Sequence, residues 1–208
     1  MSKSTLAFVF PGQGSQKVGM LAGLAESHEV IRETFEEASD TLGYDLWELC
    51  QNGSQESLNL TEKTQPLLLT SSVAIWRLWQ SRIERLPSLM AGHSLGEFSA
   101  LVCSGVLDFK SAVSLVRLRG QYMQSAVPVG VGAMAAIIGL DDAAIVEICG
   151  KITADQSDAD TAKVVQAVNF NSPGQVVIAG HLELVERAME ECKAAGAKRA
   201  LPLPVSAP

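Results

Sequence analysis

The 208-residue chain is 47% hydrophobic and 19% charged, so burial can offset chain entropy and a disordered polymer is excluded. Its formal net charge of −7 argues against the basic surface that nucleic-acid binding needs. No apolar run reaches membrane-spanning length, and the apolar stretch after Lys3 is too short for a signal peptide. Cys50, Cys103, Cys149 and Cys192 lie far apart with no C-x-x-C, so no metal site is expected and reduced thiols in the cytoplasm are the default.

In chain order, residues 6–10 read as a buried first strand, and Pro11-Gly12-Gln13-Gly14-Ser15-Gln16 as a flexible loop leaving its end. Such loops present ligand-binding backbone amides in α/β sheets, although a plain glycine-rich turn has the same composition. It is not a P-loop, because no Gly-Lys-Ser/Thr follows. Leu24, Ile31, Phe35, Ala38 and Leu42 recur at helical spacing and predict one long amphipathic helix, with His28 packed on the same stripe. Residues 43–49 suggest a turn and short helix, broken by Asn52-Gly53. Thr64-Gln65-Pro66 opens the next helix, and Trp47, Trp76 and Trp79 read as packing residues.

The chain then reaches Gly92-His93-Ser94-Leu95-Gly96, which fits the G-x-S-x-G nucleophile elbow, a sharp strand-to-helix turn. The short apolar run at 89–91 supplies the strand, and residues 97–103 supply the helix. That turn pushes the Ser94 hydroxyl out at a helix N-terminus, where free N–H groups favour a developing oxyanion. Asp108 caps a helix over 109–124, on which Ala112, Leu115, Arg119 and Tyr122 share one face. A guanidinium on an apolar stripe needs a partner. It is either a structural salt bridge or a fork for a carboxylate substrate, and the spacing leaves both open.

Residues 128–132 read as a hinge, after which the texture changes. Strands are predicted at 133–138, 164–170, 175–179 and 199–203, and helices at 141–152 and 182–195. This β-α-β-β-α-β order is the ferredoxin-like arrangement.

The elbow, the Pro11–Gln16 loop, Thr64-Gln65-Pro66 and Met134-Ala135-Ala136-Ile137 together resemble the malonyl-CoA:acyl carrier protein transacylases. Asn169-Phe170-Asn171-Ser172-Pro173-Gly174-Gln175 and Ala195-Gly196-Ala197-Lys198-Arg199 extend the likeness. The resemblance implies an α/β fold: an α/β-hydrolase-like core, incomplete in this chain, with an inserted ferredoxin-like α+β subdomain. The core would cover residues 1–130, the subdomain 131–204, and residues 205–208 would begin the return to the core. It implies Ser94 as the nucleophile, the backbone N–H groups of Gln13 and Leu95 as the oxyanion hole, and Arg119 as the grip on the malonyl carboxylate. Asn171 matches a residue lining the site in some relatives, while Lys198 and Arg199 would face carrier protein or CoA phosphates, or simply solvent. The expected partners are malonyl-CoA and acyl carrier protein, with no cofactor, nucleic acid or membrane.

In the family the general base is a histidine just beyond a stretch resembling residues 203–208. His28, His93 and His181 do not match it. The chain therefore reads as an N-terminal portion, expected to be nearly inactive alone. The rival readings are a serine hydrolase or thioesterase, and a non-catalytic piece that binds carrier protein or CoA.

Overall fold

The computed structural model describes residues 5–126, 130–155 and 163–203, so residues 205–208 and part of the expected hinge lie outside the described residues. The chain is α/β and divides into two units, Met1–Tyr122 and Met123–Pro208.

In the first unit, β1 (Ala7–Phe10) pairs in parallel with β2 (Leu89–Gly92), Val9 opposite Ala91 and Phe10 opposite Gly92. A parallel pair needs a long crossover. Here the crossover carries α1 (Ala22–Ser27), α2 (Glu29–Leu42), α3 (Leu46–Asn52), α4 (Gln55–Leu58) and α5 (Thr61–Arg82). After β2 come α6 (Leu95–Cys103) and α7 (Phe109–Ala126). The core joins Ile31 and Phe35 of α2, Leu67 and Leu69 of α5, Leu95 of α6 and Val113 of α7, all buried. The tryptophans pack as expected: Phe8 meets Trp76 and Trp79 edge-on at 5.5 and 5.1 Å, and Trp47 meets Phe35 at 4.9 Å.

Two helix expectations need correction. The long helix over 24–42 is broken at His28, whose φ of −142° and ψ of 100° are extended. Leu24 is accordingly exposed, and His28 Nδ1 lies 3.2 Å from Arg82 Nη2 instead of packing on the stripe. The next helix begins at Thr61, ahead of Thr64-Gln65-Pro66, which puts Pro66 inside it. Proline cannot donate to the carbonyl four residues back. In α5 that forfeits one backbone bond while Thr64 Oγ1 donates to Leu58 O and Leu60 O, and burial of the following apolar run outweighs the loss.

In the second unit the element order matches that predicted. It runs β3 (Gly132–Ile138), α8 (Asp142–Ala154), β4 (Val165–Ser172), β5 (Gln175–His181), α9 (Leu182–Ala194) and β6 (Arg199–Pro202). The strand order is β4-β5-β3-β6, every pair antiparallel. Asp141 caps α8 through the Ala143 N–H at 3.1 Å. Ala135, Ile137, Ile145, Ile178, Val185 and Ala188 form a separate core with α8 and α9.

All four cysteines are free thiols and buried. No helix among the described residues is long and apolar enough to cross a membrane, and none of their His, Cys, Asp or Glu side chains cluster as a metal site.

Candidate active site

The site is built where β2 turns into α6. Ser94 has φ 53° and ψ −106°, a conformation that side-chain-bearing residues avoid unless the surroundings impose it. The flanking glycines show what imposes it. A Cβ on Gly92 would stand 1.9 Å from the Gly96 carbonyl carbon, and one on Gly96 would stand 2.2 Å from Phe10 O. Strand, turn and helix therefore touch backbone to backbone, and the elbow cannot relax. Leu95 is the first residue of α6, so its N–H has no intrahelical acceptor and sits at the positive end of the helix.

The loop after β1 passes against this turn, since a Cβ on Gly12 would lie 2.8 Å from His93 O. The sequence suggests a flexible loop, but side-chain amides tie it down. Gln13 Nε2 donates to Thr61 Oγ1 at 3.3 Å, Gln16 Nε2 to Asn59 Oδ1 at 2.9 Å, and the Gly14 N–H to Gln16 Oε1 at 2.8 Å. The Gln13 backbone is thus carried on the wall that also bears Arg119's partner.

Arg119 comes to the nucleophile from α7. Its Nη2 donates to Ser94 Oγ at 3.1 Å, its Nη1 to Gln65 Oε1 at 2.7 Å, and its guanidinium carbon lies 5.7 Å from the Phe98 ring centroid. Partial burial lowers the Arg119 pKa, yet an arginine remains cationic in a protein. Its partner is an amide: among the described residues no carboxylate forms an ion pair with it. Of the face expected to carry Ala112, Leu115, Arg119 and Tyr122, Ala112 is buried, but Leu115 is 45% and Tyr122 70% exposed. The buried face runs instead through Phe109, Ala112, Val113, Val116 and Gly120, one step around from that stripe.

Ser94, Leu95 and Arg119 are brought together, with the Gln13 loop beside the same turn. Asn171 stands exposed on β4 in the second unit, at the register shift between Phe170 and Ser172 of the β4–β5 pair. Lys198 and Arg199 are exposed at the start of β6. Among the described residues no base side chain lies within hydrogen-bond distance of Ser94 Oγ. His28 is at Arg82, and His181 Nδ1 accepts from the Val164 N–H at 3.1 Å. The residues missed from sequence are Gln65, Thr61 and Phe98. Gln65 did leave a signal, as a polar side chain buried ahead of an apolar run demands a partner.

A family model described as acyl transferase domain matches residues 7–205. The malonyl CoA-acyl carrier protein transacylase of Escherichia coli (strain K12) is 64% identical over 202 residues, 97% of this chain and 63% of that protein. Among solved structures, an acyl carrier protein S-malonyltransferase from Vibrio cholerae is 62% identical with a TM-score of 0.91, over 99% of this chain and 65% of that one. A malonyl-transacylase solved with a type II PKS acyl-carrier protein is also 62% identical, with a TM-score of 0.92, over 99% of this chain and 64% of that one. The chain thus spans about 63% of the length of these curated relatives. From its elbow, its α/β architecture and this match, the chain belongs to the acyl transferase domain family.

Proposed function

We propose that the protein transfers a malonyl group from malonyl-CoA to the phosphopantetheine thiol of an acyl carrier protein through a malonyl-Ser94 ester, as in fatty acid synthesis. The observation that carries the reading is Ser94 held at φ 53° with the Arg119 cation 3.1 Å from its Oγ. In this reading the first unit is part of an α/β-hydrolase-like core, and residues 131–204 form a ferredoxin-like subdomain. The work is done in the cytoplasm.

Ser94 Oγ attacks the thioester carbonyl, forming the O–C bond and moving an electron pair onto the carbonyl oxygen. In this reading the N–H groups of Leu95 and Gln13 hold that oxyanion, since fixed donors stabilise a developing charge without reorganising. Collapse breaks the C–S bond, and the CoA sulfur leaves with the proton that Ser94 gave up. The carrier thiol then repeats the sequence in reverse on the ester, a covalent double displacement. Arg119 offers two parallel N–H donors to the free carboxylate of the acyl group, which an uncharged acyl group cannot use. Arg119 donates and cannot take the serine proton; by resemblance to the family that role belongs to a histidine just beyond a stretch like residues 203–208.

The test is brief incubation of the natural protein with malonyl-CoA, followed by intact-mass measurement and peptide mapping. A malonyl adduct on Ser94 that is discharged by carrier protein is expected. Stable adduct elsewhere, or labelling that survives Ser94→Ala, would overturn the assignment. Release of free malonate at the same rate with and without carrier protein would mean a hydrolase instead.

A further inference from the structure

Arg119 is aimed by a neutral group. Nη1 donates to Gln65 Oε1 at 2.7 Å, and Gln65 is fully buried on α5, with 0% exposure. A cation drawn out of water is ordinarily matched by a carboxylate. A glutamate at position 65 would offer the same acceptor at the same reach, but it would also cancel the charge. The amide fixes one arm of the guanidinium and leaves its positive charge open to an incoming anion.

The backbone beneath Gln65 is set just as closely. Gly120, next to Arg119, lets α7 rest on the first turn of α5: a Cβ there would stand 2.7 Å from Glu62 Cα and from Thr61 O. Gln121 Nε2 donates to Glu62 Oε2 at 3.1 Å across the same contact. Gln13 Nε2 reaches Thr61 Oγ1 from the opposite side. The opening turns of α5 are therefore a common reference for the arginine and for the loop beside the elbow.

We propose that Gln65 is a positioning residue that determines specificity, orienting Arg119 through an uncharged acceptor so that the site selects acyl groups ending in a carboxylate. The inference rests on the malonyl-transfer reading and deepens it. Gln65 acts through Arg119 and touches no substrate atom.

The experiment is calorimetric titration of the natural protein carrying Ser94→Ala, which blocks acyl transfer, with malonyl-CoA and separately with acetyl-CoA. Position 65 is Gln, Glu or Asn, and position 119 is Arg or Ala. With Gln65 and Arg119 in place malonyl-CoA should bind more tightly. Gln65→Glu should lower the malonyl-to-acetyl affinity ratio at least about tenfold, because the new carboxylate pairs with the guanidinium. Acetyl-CoA affinity should change little. Gln65→Asn, one methylene shorter, should lower the ratio less, by loosening the aim without cancelling charge. With Arg119→Ala neither change at position 65 should move the ratio further.

No preference for malonyl-CoA in the protein with both residues intact would defeat the malonyl-transfer reading. A preference that survives Gln65→Glu would defeat the Gln65 inference alone, and so would parallel loss of both affinities at a constant ratio. Should Gln65→Glu fail to fold, Gln65→Asn decides, and an unchanged ratio there overturns the proposal.

Discussion

In the second unit each strand pairs antiparallel with its neighbours, and the buried faces of β3 and β5 meet α8 and α9 over Ile137, Ile145, Ile178 and Val185. Among the described residues of the first unit the sheet is one parallel pair, and its outward residues Val9 and Leu89 stay 80% and 64% exposed while helices supply most of the core. The contrast separates two uses of a fold. The second unit makes one hairpin and short helical crossovers that stabilise one another locally. The first holds one serine in a disfavoured conformation through contacts between residues 12, 13, 61, 65, 92, 96 and 119, far apart in the chain. Strain of this kind persists only where the surroundings over-determine it.

The strongest way to break that contrast is Gly92→Ala. The new Cβ would overlap the Gly96 carbonyl at 1.9 Å, and backbone on both sides has nowhere to go. A loss of more than about 4 kcal/mol in the first unit is expected. Hydrogen exchange should show β2 and α6 amides unprotected while β3 and β5 amides keep their protection. Collapse of protection in both units would show that they do not stand independently.

Arg119→Ala comes next and touches function more than stability. Loss of a charge-assisted, paired contact costs about 1.5–3 kcal/mol. Malonyl transfer by the natural protein should fall at least about tenfold, acetyl transfer less, and the melting of the second unit not at all. Equal loss with both acyl groups would make Arg119 structural.

A smaller effect should come from the second unit itself. Asp141→Ala removes the side chain that accepts from the Ala143 N–H and should cost that unit about 1 kcal/mol. Denaturant midpoints read by a probe in each unit would show a shift in the second only.

A pH dependence is also expected, and its sign is fixed by burial. Burial pushes the thiol of Cys103 up to about 12 and those of Cys50, Cys149 and Cys192 up to about 11. It pushes the Tyr44 hydroxyl up to about 12. Folding therefore keeps protons that the unfolded chain releases above about pH 9 for thiols and about pH 10 for tyrosine. The native state binds more protons than the unfolded state there, so stability is undiminished below pH 9 and falls as pH rises toward 12. Cys50, Cys103 and Tyr44 lie in the first unit, Cys149 and Cys192 in the second. The first unit should lose stability more steeply between about pH 9 and about pH 12, as denaturant midpoints would show. A flat profile would mean that these groups titrate normally.

Where sequence reading fell short, tertiary contact was the reason. The stripe from Leu24 to Leu42 has helical spacing throughout, but an extended His28 splits it, and no local signal such as glycine or proline marks the break. Thr64-Gln65-Pro66 looks like a helix start because proline favours the first turn. Burial of α5 carries the helix back to Thr61 regardless. Arg119 was legible as an arginine needing a partner. Which partner was not, because Gln65 lies on another helix and neither charge nor spacing links the two.

The sequence by itself determined the elements whose cause is local. The elbow follows from glycines placed where no Cβ fits, the β-α-β-β-α-β order of the second unit from alternating periodicities and turn residues, and the caps at Asp108 and Asp141 from short acceptors ahead of apolar runs. Only the tertiary structure decided what surrounds Ser94 Oγ. Packing of α7 on α5 through Gly120 sets Arg119 between an amide and a serine, and the amides of Gln13 and Gln16 hold the neighbouring loop against that wall. Those are contacts between groups some 25 to 59 residues apart, set by the way whole helices pack, and no local pattern in the chain encodes them.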